Sequence, residues 1–143
     1  MTVARILAEK GKDVLTVQPH RTLKEVVEVL ASHGIGAVVV ADASMSVLGI
    51  LSERDVVRVL ARDGAAALAD QVSRHMTPKV ITVTRDDTID HLMETMTEGR
   101  FRHLPVVENG RLIGIVSIGD VVKRHVSAID TERQALREYI ATA

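Results

Sequence analysis

Two Ser-x-x-Asp segments have the residue types and spacing best suited to holding a ligand. Ser52 and Asp55 form the first, and Ser117 and Asp120 form the second, each after a glycine and two apolar residues. Both fall where a strand should end and a helix begin, and a helix start offers free N–H groups and partial positive charge to a phosphate. The carboxylate could accept bonds from the vicinal hydroxyls of a ribose. The alternative is that each Ser and Asp pair only caps its helix. The occurrence of the same pair after a glycine at two places in the chain favours a ligand site.

A group of cations forms a second candidate. Arg102 and His103 follow Arg100 and Phe101, directly before an apolar strand-like run. The planar guanidinium of arginine can bind two phosphate oxygens at once, and a histidine can add a further bond. The alternative is a solvated surface cluster, the commoner fate of such charges. Phosphate contact requires that this segment face a cleft between the two halves of the chain.

The composition argues against several other functions. The chain has no cysteine, a net charge of −1 and only 1% aromatic residues, which leaves no thiolate chemistry, no basic field and no stacking platform for nucleic acid. The histidines lack metal-ligand spacing, and neither Ser52 nor Ser117 has a nearby base. The charged amino-terminal segment lacks the apolar run of a signal peptide or membrane span. The sequence thus predicts a non-enzymatic, cytoplasmic protein without metal, membrane or nucleic acid.

An internal duplication supplies the elements that position these residues. The segment 14–17 recurs as 80–83, an offset of 66, and Gly49 to Val57 recurs as Gly114 to Val122 at an offset of 65. Spacing kept over more than 40 residues with one slip indicates two copies of one unit. Neither copy alone is large enough for a secure core, so the two should pack as one module.

Within the first unit the hydrophobic period alternates between strand and helix. We predict a strand at 14–17, a helix capped by Thr22, a buried strand at 37–41, a strand at 48–52 and a helix with Val56, Val57 and Leu60 inward. The fold class is therefore α/β (α+β), with two βαββα units related by a pseudo-twofold axis.

The second unit repeats the pattern from its strand at 80–83. Thr88 should cap its first helix, Asn109-Gly110 should form a hairpin turn, and a helix should follow from about Asp120. Pro105 favours an edge position or a bulge. The predicted divisions are an amino-terminal segment 1–13, repeats at 14–62 and 80–127, a linker 63–79 with a short helix, and a carboxy-terminal helix 128–143.

The doubled unit, ending each time in Gly-hydrophobic-x-Ser-x-x-Asp, resembles the cystathionine-β-synthase (CBS) domain pair. The segments Met76-Thr77-Pro78-Lys79-Val80-Ile81-Thr82-Val83 and Arg102-His103-Leu104-Pro105-Val106-Val107 also look like that family. The likeness covers roughly residues 3–127. The first unit departs from the pattern, because Gly36-Ala37-Val38-Val39 stands where the second has its cations and proline, so the two clefts should be chemically unequal.

The resemblance implies nucleotide sites between the repeats, with adenine against backbone and apolar groups. The Asp120 cleft would use Lys12, Asp13, Val14, Ile35, Gly36 and Ala37, together with the Arg102 and His103 cations. The Asp55 cleft would use Thr77, Lys79, Val80 and Phe101, with Arg54 and Lys79 supplying charge.

The function that the resemblance implies is regulatory. AMP, ADP or ATP, or alternatively NAD(H) or S-adenosylmethionine, would bind without a catalytic cofactor and alter a disc-shaped homodimer that acts on an unidentified regulated protein. The alternative is a ligand-free dimerisation or protein-interaction scaffold with degenerate clefts.

Overall fold

The computed structural model describes residues 1–11 and 13–142, and it confirms the mixed α/β class. The helices are α1 (Val3–Lys10), α2 (Leu23–His33), α3 (Glu53–Asp63), α4 (Ile89–Gly99) and α5 (Ile118–Thr142), and short 3-10 turns cover Ala65–Ala69 and Val72–Arg74. The strands are β1 (Thr16–Val17), β2 (Ala37–Ala41), β3 (Val47–Ser52), β4 (His103–Glu108) and β5 (Arg111–Ser117). Two similar units therefore follow one another, as the repeat predicts.

The strands form two small sheets, one in each repeat. In the first, β1 pairs parallel with β2, and β2 pairs antiparallel with β3. In the second, β4 and β5 form a hairpin with a bulge after Val106, and Asn109 and Gly110 both have positive φ at its tip. This agrees with the predicted Asn-Gly turn, which requires left-handed backbone at both positions. Both sheets end at a serine that begins a helix.

Side-chain caps define where the first helix of each repeat begins. The hydroxyl of Thr22 accepts a hydrogen bond from the Glu25 amide at 3.2 Å, and Thr88 does the same for His91 at 3.2 Å. Gly34 ends α2 in the left-handed conformation that glycine adopts without steric cost. These helix limits are local in origin, and the sequence predicts them correctly.

Each repeat has its own aliphatic core, and α1 belongs to the core of the second. Val3, Ile6 and Leu7 of α1 are buried with Leu92 and Val116 of that core. Residues of the linker, including Ala67 and Val72, pack instead on the core of the first repeat. The amino-terminal helix therefore crosses to the far half of the molecule, which the sequence does not reveal.

Several local predictions are wrong. Val57 is 67% exposed, because Val56 and Val59 form the buried face of α3. Residues 80–83 make only an isolated bridge between Val83 and Val106 rather than a strand. The linker contains 3-10 turns instead of one helix. The last two predicted helices are one continuous helix, α5.

Candidate functional site

A cleft of about 410 Å³ lies at the seam between the repeats, beside the start of α3. The first repeat contributes the end of β3 and the first turn of α3, and the second contributes the turn between α4 and β4. The lining residues are Gly36, Ile50, Ser52, Glu53, Arg54, Asp55, Arg58, Thr77, Val80, Ile81, Gly99, Arg100, Phe101, Arg102 and His103. Residues far apart in the chain thus meet at the predicted helix start.

Ser52 and Asp55 fix the start of α3 by reciprocal capping. The carboxylate Oδ2 of Asp55 accepts hydrogen bonds from the amide of Ser52 at 2.9 Å and from its hydroxyl at 3.0 Å. The Ser52 hydroxyl accepts in turn from the Asp55 amide at 3.2 Å. The capping alternative is therefore realised, but it uses one carboxylate oxygen. Oδ1 lies 3.7 Å from the guanidinium of Arg58, whose side chain is 74% exposed.

The backbone at this helix start is partly satisfied within the protein. The amide of Glu53 donates to the carbonyl of Gly36 at 2.9 Å, and the Asp55 amide is used by Ser52. The amide of Arg54 is the remaining donor of the first turn. The helix start offers fewer N–H groups than the sequence suggests, so the cleft's cationic side chains matter more for binding an anion.

The electrostatics of the cleft favour an anion. Four arginines, Arg54, Arg58, Arg100 and Arg102, line it against the two carboxylates of Glu53 and Asp55. Apolar groups from Ile50, Val80, Ile81 and Phe101 form another part of the wall. A phosphorylated ligand with a flat apolar part matches this mixture of surfaces.

His103 lies where the two repeats meet. A Cβ at Gly36 would lie 3.6 Å from Cε1 and Nε2 of this imidazole, so the ring packs against the first repeat. Burial lowers the pKa of His103 from its ordinary value, and the ammonium of Lys10 adds to the effect, although the carboxylate of Glu53 opposes it. The ring is therefore a poor cation in this structure and a good neutral hydrogen-bonding group.

The second helix start has the same capping but a different neighbour. Oδ2 of Asp120 accepts from the amide of Ser117 at 2.9 Å and from its hydroxyl at 3.0 Å. The same oxygen also accepts from Nζ of Lys10 at 2.6 Å. Burial would by itself raise the pKa of Asp120, but the hydrogen bonds from Lys10 and Ser117 outweigh it and lower that pKa. Asp120 is consequently a tightly held carboxylate.

The predicted site residues divide between these two places. Ser52, Arg54, Asp55, Thr77, Val80 and Phe101 line the Asp55 cleft together. Gly36, Arg102 and His103, which the sequence assigns to the Asp120 cleft, line the Asp55 cleft as well. Gly36 lies beside the start of α3, where its carbonyl accepts from the Glu53 amide, and the turn before β4 reaches across the seam towards the same helix.

The other predicted residues lie elsewhere. Lys79 is exposed and outside the lining of the Asp55 cleft. Asp13 is exposed, Val14 and Ile35 are half-buried, and Ala37 is buried at the start of β2. Lys12 lies outside the described residues. Sequence reasoning missed Arg58 and Lys10, and it named Arg100 only as a neighbour of Arg102. The helical spacing of Arg58 after Asp55 was the available signal, whereas Lys10 had none.

The part of the chain that the structure describes holds neither a cluster of metal ligands nor a membrane-spanning helix. Across residues 1–11 and 13–142, no three His, Asp or Glu side chains are grouped closely enough to hold a metal ion. None of the helices in that part of the chain combines the length and apolarity needed to cross a bilayer.

Comparison with known proteins identifies the family. The CBS domain family model matches residues 4–62 and 70–127, which is most of the chain and both repeats. The chain belongs to the CBS domain family, and the predicted resemblance is confirmed.

The similar proteins agree with this. The mitochondrial CBS domain-containing protein CBSX3 of Arabidopsis thaliana is 34% identical over 97% of this chain and 71% of its own length. The crystal structure of the CBS-domain protein ATU1752 from Agrobacterium tumefaciens matches with a TM-score of 0.84 and 53% identity, covering 87% of this chain and 99% of that one. The architecture of a tandem CBS module is thereby established.

Two other similar structures contain adenosine compounds. The CBS domain protein PAE2072 from Pyrobaculum aerophilum, complexed with AMP, matches with a TM-score of 0.75 and 26% identity over 84% of this chain and 89% of that one. The CBS domain pair of protein MJ0100, in complex with 5'-methylthioadenosine and S-adenosyl-L-methionine, matches with a TM-score of 0.80 and 25% identity over 90% of this chain and 98% of that one. Pairs of this family therefore include nucleotide-binding modules.

Proposed function

We propose that this chain is a non-catalytic regulatory module that binds an adenine nucleotide in the Asp55 cleft. The observation that carries the proposal is the convergence of four arginines, an apolar wall and the Ser52–Asp55 helix start on one cleft at the seam. The volume of about 410 Å³ falls within the range of small-molecule sites. AMP in PAE2072 and the adenosine compounds in MJ0100 support the same ligand class.

Each part of a nucleotide has a chemical counterpart in this cleft. The arginines supply guanidinium groups for phosphate oxygens, with the Arg54 amide as a further donor. The Oδ1 atom of Asp55 can accept from ribose hydroxyls, since Oδ2 is already used by Ser52. The apolar groups around Val80 and Phe101 suit the adenine ring. The ligand is thus held by three kinds of contact from both repeats.

The charge of the cleft narrows the ligand class. S-Adenosylmethionine carries a cationic sulfonium, which four arginines would repel, whereas AMP, ADP, ATP and NAD(H) carry phosphates. We therefore propose a phosphate-bearing adenosine compound and favour AMP, ADP or ATP.

The signal would pass through a homodimer. Val57 on α3 and Val122 on α5 occupy equivalent positions and are 67% and 47% exposed. Val57 follows the cleft-lining start of α3, and Val122 follows the capped start of α5. A nucleotide that binds two arrangements of the repeats unequally therefore shifts the geometry of a dimer built on these helices. The regulated partner would respond to that geometry. A cytoplasmic location is part of the same proposal.

The test is isothermal calorimetry on protein stripped of bound nucleotide, with AMP, ATP, NADH, S-adenosylmethionine and adenosine as ligands. We expect AMP to bind at least about tenfold more tightly than adenosine, because hydrogen bonds to charged groups contribute about 1.5–3 kcal/mol each. Asp55→Asn should weaken AMP binding by about 10- to 100-fold for the same reason. Asp63→Asn, an exposed carboxylate at the end of α3 paired with Arg62, is the matched control and should leave binding unchanged.

Absence of binding by every adenosine compound at millimolar concentration contradicts the proposal. In that case the ligand-free scaffold remains as the interpretation of the fold. Equal affinity for AMP and adenosine would remove the assigned role of the arginines.

A further inference from the structure

The start of α5 is engaged by the protein's own lysine in a way that the start of α3 is not. Nζ of Lys10 lies 2.6 Å from Oδ2 of Asp120 and donates to the carbonyl of Ile115 at 2.9 Å. The side chains of Lys10 and Asp120 are only 26% and 19% exposed. The ammonium therefore occupies the space beside the carboxylate that the repeat would otherwise offer to a ligand.

The internal repeat shows that the other half has no equivalent of this lysine. The bridges Thr2–Thr88 and Gln71–Thr22 relate the segments before the repeats by an offset of 69, so Leu7 corresponds to Met76 and Lys10 lies in a three-residue extension of α1. Met76 packs its side chain towards Gly49, within 2.5 Å of where a Cβ would lie on that glycine, and it carries no charge. Among residues 1–11 and 13–142, Asp55 has no lysine partner of this kind and pairs with the exposed Arg58 at 3.7 Å.

The difference between the surroundings of Asp55 and Asp120 originates in the backbone before each repeat. In the first half, Thr77 pairs with Ile50 by hydrogen bonds of 2.9 and 3.1 Å, so the chain follows β3. In the second half, α1 continues to Lys10, and the amide of Gly11 donates back to Leu7 at 2.9 Å as a helix cap. The carbonyl of Ile115, equivalent to that of Ile50, accepts from the Lys10 side chain instead.

A second ion pair holds the end of α1 in place. Glu9 lies 3.0 Å from Nε of Arg124, whose side chain is only 11% exposed. The same arginine donates to the carbonyl of Asp120 at 3.0 Å and lies 3.9 Å from its Oδ1. Both carboxylate oxygens of Asp120 are thus faced by cations of this chain. A ribose could reach Asp120 only by displacing them.

We infer that Lys10 closes the Asp120 cleft as an internal substitute for ligand, so that each chain binds one nucleotide, in the Asp55 cleft. The inference rests on the proposed function and specifies its stoichiometry. Because α1 and α5 are tied together by this contact, the second half keeps one arrangement while the first responds to nucleotide.

The test is the number of AMP molecules bound per chain, measured by equilibrium dialysis with radiolabelled AMP and by calorimetry. The wild type should bind one, Asp55→Asn should reduce this to none in the same concentration range, and Asp120→Asn should leave it at one. Lys10→Met, which replaces the ammonium with an uncharged side chain of similar length, should raise the number to two. The double variant with Lys10→Met and Asp120→Asn should again bind one AMP per chain.

Thermal melting of each variant checks that it is folded, and Lys10→Gln provides a second variant that removes the charge if Lys10→Met fails to fold. Two molecules bound by the wild type, or one bound by both folded Lys10 variants, overturns the inference while the proposed function stands. No binding by wild type or by the Lys10 variants overturns the proposed function itself.

Discussion

Gly36 and His103 lie against each other across the seam, where a Cβ on the glycine would come within 3.6 Å of the imidazole Cε1 and Nε2. This contact places a titratable ring between two helix starts. Lys10 and Arg102 disfavour its protonation, while Glu53 and Asp120 favour it, and burial decides the direction. A packing detail at the seam therefore makes the stability of the module depend on pH.

The first prediction concerns that dependence. Because the pKa of His103 is lower in the folded chain than in the unfolded chain, the unfolded chain takes up the proton first as the pH falls. Above about pH 6.5, His103 is neutral in both states and the free energy of unfolding keeps its full value. That free energy decreases as the pH falls towards the pKa of His103 in the folded chain. The free energy of unfolding of the wild type should thus decline relative to that of His103→Gln between pH 7.5 and 5.

Urea titrations at each pH provide the measurement. His20→Gln, at an exposed position outside the cleft, should instead track the wild type. Parallel curves for wild type and His103→Gln would show that the ring is not held in its neutral form.

The second prediction compares the two capping carboxylates. Asp55→Asn and Asp120→Asn change the same cap in the same way, but only the second removes a 2.6 Å ion pair with Lys10. We expect Asp120→Asn to lower the free energy of unfolding by about 1–3 kcal/mol more than Asp55→Asn, the usual range for leaving a partly buried charged group poorly paired. Because the pKa of Asp120 is lowered, this difference should be present near neutral pH and vanish as the pH falls below about 3.9. Equal losses for the two variants would contradict a structural role for Lys10.

The sequence predicts the parts of the fold that depend on local chemistry. Thr22 and Thr88 mark helix starts because a hydroxyl can satisfy an amide three residues on. The inward assignment of Val57 fails, since the first turn of α3 is set by its cap and the buried face then falls on Val56 and Val59. The strand expected before Val83 also fails, because the neighbouring edge of β4 carries Pro105, which has no amide to donate.

The site residues also divide into those that sequence patterns predict and those that depend on how the two halves pack. The repeat and the family motif predict that Ser52 and Asp55 meet Thr77 and Phe101, as they do in the cleft. Which cleft receives Arg102 depends on the rotation between the halves, and no local pattern encodes it. Lys10 reaches Asp120 across 110 residues of sequence because α1 packs on the second core. The position of α1 is set by tertiary packing, which no local sequence pattern predicts.

The third prediction concerns Gly49, the glycine that precedes the first Ser-x-x-Asp motif. A Cβ on Gly49 would lie 2.5 Å from Sδ of Met76 and 2.8 Å from the backbone oxygen of Thr77, and the backbone contact cannot be relieved by a rotamer change. Gly49→Ala should therefore lower the free energy of unfolding by about 1–3 kcal/mol, as overpacking commonly does. Gly119→Ala is the control, since its Cβ would meet only the Ser117 hydroxyl at 3.6 Å. Chemical denaturation of both variants checks this, and a loss confined to Gly119→Ala would contradict it.

The last prediction concerns the proposed homodimer. Val57 and Val122 are the exposed apolar residues that the duplication places at equivalent positions on α3 and α5. A charge at either position would have to be desolvated on association, so Val57→Glu and Val122→Glu should each convert the dimer to monomer in sedimentation velocity experiments at micromolar concentration. Leu136→Glu, which changes an exposed apolar residue about three-quarters of the way along α5, is the matched control and should leave the association unchanged. A dimer that survives both valine substitutions but not Leu136→Glu would place the contact on the distal part of α5, and the path from nucleotide to partner would then run along that helix.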